Sequence, residues 1–149
     1  MSMLSAYRGR PRASAGREPA GYIHRMPELI HTCYRIGDID RAVDFYEALG
    51  FEERRRMDLP DGAINVFMGI PGDGDRLELT WNPGVESYDL GTGYNHIALV
   101  VEGLDDTLAG LGEQGISPEK PPYHVGEGGP RICFVRDPDG YRVELIERR

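Results

Sequence analysis

Cysteine is scarce in this chain: Cys33 and Cys133 are the only two, far apart and without Cys-x-x-Cys spacing. That excludes a disulfide framework and a thiolate zinc site, and the pair reads as reduced thiols of a cytoplasmic protein. Basic residues are also few outside the N-terminus. Residues 1–25 hold five Arg and one Glu, so the remainder has 12 basic against 24 acidic residues within a net charge of −8. An acidic body argues against a nucleic-acid partner. No run of apolar residues approaches the roughly 18 needed to span a bilayer, and the start lacks the apolar centre of a secretory signal. A membrane location is therefore not expected. The 149 residues suit one compact domain, or two small modules sharing a core.

Residues 1–25 are rich in Arg, Ser, Ala and Gly without apolar periodicity, which predicts a disordered tail before a folded domain at 26–149. From Glu28 to Ile36 the residues alternate as a strand does, with His31, Cys33 and Arg35 on one face. Asp38 is a candidate N-cap, Ile39, Ala42, Val43, Tyr46 and Leu49 form a helical stripe, and Gly50 ends it. Strands are predicted at 51–57, 64–69 and 76–81, separated by the turn signals Asp61-Gly62 and Gly72-Asp73-Gly74. After residues 83–92 the same order starts again: a strand around His96, a helix over 104–113, a long Pro- and Gly-rich loop over 117–130, then a hairpin of 131–135 with 141–147 across Asp137-Pro138-Asp139-Gly140. The expected fold class is α+β, with two tandem β-α-β-β-β modules, about 28–82 and 93–147, on a curled mixed sheet.

The duplication extends to chemistry. His31 and His96 open matching runs, each leading to an Asp and then to the Gly that ends a helix, at a constant offset of 65. Glu78 in Arg-Leu-Glu-Leu-Thr is answered by Glu144 in Arg-Val-Glu-Leu-Ile at an offset of 66. A lone strand His reads as an exposed or hydrogen-bonded residue, and a lone strand Glu as part of a solvated face. One His and one Glu per module, in repeated register and with the Glu bracketed by apolar residues, point instead to nitrogen and oxygen ligands for a divalent first-row metal. If both strands face the inside of a curled sheet, pseudo-twofold pairing of the modules would bring all four side chains together. Trp81, Phe67 and Met68 read as core, with the lining of a hydrophobic pocket as the alternative, and Cys33 as a buried neutral thiol on the site face, with a reactive thiol as the alternative.

Four motifs carry a family resemblance: Leu29-Ile30-His31-Thr32-Cys33-Tyr34-Arg35-Ile36-Gly37-Asp38 with Phe45-Tyr46; Leu77-Glu78-Leu79-Thr80-Trp81-Asn82; Leu90-Gly91-Thr92-Gly93-Tyr94-Asn95-His96-Ile97-Ala98; and Asp137 to Ile146. Over about residues 28–147 the chain resembles glyoxalase I, the lactoylglutathione lyases of the vicinal oxygen chelate superfamily. The resemblance implies a divalent metal, with nickel or cobalt favoured by the short connections and zinc also accommodated, held by His31, Glu78, His96 and Glu144. It implies the hemithioacetal of methylglyoxal and glutathione as substrate, and isomerisation to S-lactoylglutathione through an enediolate. Glu144 is then the proton-shuttling base and Glu78 the second catalytic carboxylate, with Arg35, Asn82 and His96 toward the substrate. In small relatives of this type, the resemblance implies a homodimer whose sites lie at the interface, His31 and Glu78 from one chain and His96 and Glu144 from the other.

Two positions depart from the family pattern. Thr92 stands where animal members carry Arg, and His124 to Arg131 lacks the Lys common there, leaving Arg131 and Lys120 as the nearby cations. Another low-molecular-weight thiol, a different hydroxy-carbonyl substrate, or a metal-free binding module of the same fold are the alternatives.

Overall fold

The computed structural model describes residues 27–149, so the expected tail at 1–25 lies outside the described residues. The first module runs β1 (Thr32–Ile36), α1 (Ile39–Ala48), β2 (Glu52–Asp58), β3 (Ile64–Gly69) and β4 (Leu77–Trp81). The second repeats it with β5 (His96–Val101), α2 (Leu104–Glu113), β6 (Tyr123–His124), β7 (Arg131–Arg136) and β8 (Arg142–Glu147). Each module forms its own mixed four-stranded sheet, in order β1-β4-β3-β2 and β5-β8-β7-β6, with the first strand parallel to the last. The fold is α+β, two β-α-β-β-β units in tandem.

Local chemistry accounts for the boundaries. The Asp38 carboxylate accepts from the amide of Arg41, which satisfies a free donor at the start of α1. Gly50, at φ 91°, takes the left-handed conformation that closes the helix. In the second module α2 starts at Gly103, which has no capping side chain of its own; instead the Glu147 carboxylate accepts from the Leu104 amide. The sequence places two features differently. His31 precedes β1 rather than lying within it, and the long loop contains a two-residue strand, β6, paired to β7 at Tyr123 and Ile132.

One face of each sheet is the core. Tyr34, Ile36, Val66, Met68, Leu77 and Leu79 of the first module and Cys133, Val135, Val143 and Leu145 of the second are buried in one cluster with Val43, Tyr46, Leu104 and Leu111 from the helices. Each such side chain contributes about 1.5–3 kcal/mol by leaving water. Period two then leaves the alternate residues of β4 and β8 on the opposite face, where Glu78 and Glu144 lie. The modules are joined by polar and aromatic contacts. The Tyr34 and Tyr141 rings stack at 4.1 Å, the Tyr46 hydroxyl donates to the Asp137 carboxylate at 2.9 Å, and the Gly37 amide donates to Asp139 at 2.8 Å. Asp137 is 5% exposed, and burial pushes its carboxyl up to about 6 despite the donors that hold it. Among the described residues, no helix is long and apolar enough to cross a membrane.

Candidate metal centre

Register brings each His and Glu together. In the first sheet Glu78 lies opposite Cys33 on β1 and Phe67 on β3. His31, one residue before β1, turns Nε2 to within 3.0 Å of Glu78 Oε2. In the second sheet Glu144 lies opposite Ala98 on β5 and Phe134 on β7, and His96 Nε2 is 3.0 Å from Glu144 Oε2. Exposure repeats as well: the His side chains are 32% and 31% exposed, the Glu side chains 13% and 16%. Both imidazoles meet a phenylalanine edge-on, His31 with Phe67 at 5.9 Å and His96 with Phe134 at 5.2 Å, each at 73°. Arg55 covers Phe67 and Arg142 covers Phe134. Phe67 is therefore part of the site's floor as well as a buried residue. Phe134, its counterpart, escaped the sequence reading.

The environment of His96 fixes its tautomer. Arg142, which can only donate, gives Nη1–H to Asn95 Oδ1 at 3.0 Å, so that the Asn95 oxygen faces this way. His96 Nδ1, 2.5 Å from the same oxygen, must then carry a proton. Arg142 is itself held by Glu119 through two bonds of 2.8 and 2.9 Å. A chain Glu119, Arg142, Asn95, His96 thus orients the imidazole so that Nε2 meets Glu144. An imidazole lone pair and a carboxylate 3.0 Å apart repel each other unless a cation, either a proton or a metal ion, lies with them. A spacing of 3.0 Å suits a shared proton, and an imidazole nitrogen beside a carboxylate oxygen is also a donor pair that a divalent ion would accept.

Glu78 is held on its other oxygen. Oε1 accepts from Asn65 Nδ2 at 2.9 Å and lies 3.2 Å from the Thr80 hydroxyl oxygen, whose one proton goes to Asn65 Oδ1 at 3.0 Å, and Cys33 Sγ approaches it at 3.6 Å. Cys33 is exposed as a residue, not buried, yet its sulfur turns onto Thr80 and Glu78, where desolvation pushes the thiol up and favours the neutral form.

Arg35 is exposed on the same face, opposite Thr80 in register, and Asn82 follows the end of β4. The Asn82 amide donates to the Tyr88 hydroxyl at 2.9 Å, which ties it to the loop after β4. Arg131 is committed elsewhere: it pairs with Asp105 at 2.6 and 2.7 Å and approaches Glu147 at 3.5 Å. Lys120 lies over the Tyr123 ring at 3.8 Å. Trp81 is only partly buried, against the edge of the core. Within one chain the two His–Glu pairs stay apart. Among the described residues no three His, Cys, Asp or Glu side chains converge as a metal site, so each module presents half of the four-residue set.

Comparison with known proteins extends the pattern. The profile of the Glyoxalase/Bleomycin resistance protein/Dioxygenase superfamily matches residues 28–145. A lactoylglutathione lyase of Escherichia coli O157:H7 is 38% identical over 125 residues, covering 81% of this chain and 93% of that protein. A lactoylglutathione lyase of Arabidopsis thaliana is 39% identical over 124 residues, but this chain spans only 44% of its length. Among solved structures, the trypanothione-dependent glyoxalase I of Leishmania major superposes with a TM-score of 0.69 at 37% identity, covering 82% of this chain and 87% of that one. The chain belongs to the Glyoxalase/Bleomycin resistance protein/Dioxygenase superfamily.

Proposed function

We propose that the protein is a metal-dependent glyoxalase I, a lactoylglutathione lyase, that isomerises the hemithioacetal of methylglyoxal and glutathione to S-lactoylglutathione. The observation that carries this reading is the pair of equivalent His–Glu sets, each with nitrogen and oxygen 3.0 Å apart on the open face of its sheet. His31, Glu78, His96 and Glu144 are the residues that would hold a divalent ion. Two imidazoles and two carboxylates suit nickel, cobalt or zinc alike, and the short connections between elements favour nickel or cobalt. The ion, when bound, supplies Lewis-acid stabilisation of the charge that develops on the two neighbouring substrate oxygens.

The remaining chemistry belongs to the side chains. Glu144 removes the proton from the hemithioacetal carbon and returns it to the adjacent carbon, while the hydroxyl proton passes from the oxygen of the first carbon to that of the second, so that the product is an isomer of the substrate. Glu78 stays in place as the fixed carboxylate. Arg35 and Asn82 receive the γ-glutamyl carboxylate of the thiol peptide, and His96 borders the substrate beside Glu144.

We further propose a homodimer, in which His31 and Glu78 of one chain face His96 and Glu144 of the other. The separation of the two pairs within one chain supports it. So does the apolar surface beside them: Leu29, Ile30 and Val100 are 82%, 60% and 55% exposed, and a groove lined by Leu29, Thr32, Ile97 and Val100 runs between the start of β1 and β5. A cytoplasmic location accords with the two free thiols, Cys33 and Cys133.

One observation favours a second reading of the thiol. Because Arg131 is taken up by Asp105 and Glu147, it does not replace the missing loop Lys, which leaves room for a low-molecular-weight thiol other than glutathione. The test is to deplete the protein of metal, add nickel or zinc in turn, and follow thioester absorbance from methylglyoxal with glutathione and with other thiols. Thioester formation restored by the metal is expected, and the best thiol decides between the readings. No thioester with any thiol, together with no bound metal, overturns both. Glu144→Gln should abolish turnover while metal still binds, and full activity in that variant would remove Glu144 as the base.

A further inference from the structure

The two half-sites match in their ligands and differ in what surrounds them. The strand registers define the equivalence independently of sequence offsets: Phe67 opposite Glu78 corresponds to Phe134 opposite Glu144, and Cys33 opposite Glu78 corresponds to Ala98 opposite Glu144. One step along the same faces, Asn65 opposite Thr80 corresponds to Ile132 opposite Ile146. The first module thus surrounds its carboxylate with an amide, a hydroxyl and a thiol. The second offers a methyl group and two isoleucines at the same places.

The consequences for the two carboxylates are opposite. Asn65 is 8% exposed, and its amide bridges the pair: Nδ2 donates to Glu78 Oε1 at 2.9 Å while Oδ1 accepts from the Thr80 hydroxyl at 3.0 Å. Moving Glu78 would break the bond from Asn65 Nδ2 and leave a buried amide donor without its acceptor. Ile132, Ile146 and Ala98 have no donor to give. Glu144 can therefore leave its position beside His96 without breaking any bond to these neighbours.

We propose that Asn65 and Thr80 are positioning residues that lock Glu78 as the fixed carboxylate ligand, and that Ile132 and Ile146 keep Glu144 free to swing between metal and substrate. The assignment rests on the metal and base roles proposed above, and it explains from this chain's own residues why two carboxylates in equivalent places take different roles. Groups that orient a metal ligand typically tune metal affinity 10–100-fold.

Exchanging the surroundings tests this. Asn65→Ile with Thr80→Ile gives the first module the bed of the second, Thr80→Val removes one hydroxyl at nearly constant shape, and Ile132→Asn with Ile146→Thr gives the second module the clamp of the first. Nickel affinity of the metal-depleted proteins is measured by calorimetry, and kcat and KM on the reloaded proteins. The first exchange should weaken nickel binding about 10–100-fold and Thr80→Val should weaken it less, in the same direction. The reverse exchange should leave nickel affinity equal or tighter while kcat falls at least about tenfold at unchanged KM, the pattern of an interaction lost only during the chemical step. Unchanged nickel affinity in Asn65→Ile/Thr80→Ile and Thr80→Val, or unchanged kcat in the reverse exchange, overturns the inference while leaving the metal site standing. A parent protein that binds no nickel overturns both.

Discussion

Replacing Asp137 with asparagine should stabilise the protein above pH 7, although it removes a charged hydrogen-bond acceptor from the junction between modules. Asp137 is 5% exposed, accepts from the Tyr46 hydroxyl at 2.9 Å and from the amides of Asp139 and Tyr141 at 3.0 and 2.8 Å. Those donors lower its proton affinity, but desolvation outweighs them and the carboxyl sits at about 6 instead of 3.8. The native state therefore binds more protons than the unfolded chain between these values, and the stability this group contributes falls as pH rises through that window. A rise of about two units at 1.36 kcal/mol each makes a penalty of about 3 kcal/mol, present in full above pH 7 and absent below about pH 4. Asparagine has nearly the same shape, keeps an oxygen for the two amides and can donate to the Tyr46 oxygen. Urea unfolding at several pH values from 4 to 8 reads the effect. The gain over the parent should be about 2–3 kcal/mol at pH 8 and shrink toward zero near pH 4. A difference between variant and parent that does not change with pH would refute burial of the charge as its cause.

Two further perturbations probe the same junction. Tyr46→Phe removes the donor facing Asp137 Oδ2 and should cost about 1.5–3 kcal/mol at pH 8, with a smaller loss near pH 4 where Asp137 is protonated, measured by thermal unfolding. Gly37→Ala should cost about 1–3 kcal/mol, because a Cβ there would meet the Glu86 carbonyl oxygen at 2.0 Å and force the 83–92 loop outward; unfolding at neutral pH checks it, and metal affinity should stay unchanged.

Much of this architecture was legible in the sequence because it is written locally. The helix boundaries follow from Asp38 and Gly50, and the offsets from His31 to His96 and from Glu78 to Glu144 mark the repeat before any strand is paired. The residues that were missed are neighbours only across strands. Asn65 and Phe134 sit in runs that read as plain strand, and only the pairing of β3 with β4 and of β7 with β8 puts them beside Glu78 and Glu144. The recurrence of Phe67 as Phe134, opposite each Glu, was the available signal, but it needs the register to be seen. Asn95 is adjacent to His96 in sequence, and alternation assigns adjacent strand residues to opposite faces. It reaches Nδ1 because His96 is the first residue of β5 and Asn95 lies just outside the strand. The pairing of Tyr123 with Ile132 within the long loop has no periodic signature, since two residues are too few to show one.

Subunit mixing tests whether the metal site is completed between two chains. One variant carries His31→Ala and Glu78→Gln, the other His96→Ala and Glu144→Gln, and each alone should bind no metal at these sites and form no thioester. Unfolded together and refolded, they should recover about a quarter of the parent's metal content and activity, since half of the random dimers are mixed and each mixed dimer has one intact site of two. If every site were built within one chain, no combination would contain an intact set. Failure of the mixture to recover any metal or activity, with the mixed dimer shown to form, would contradict the account.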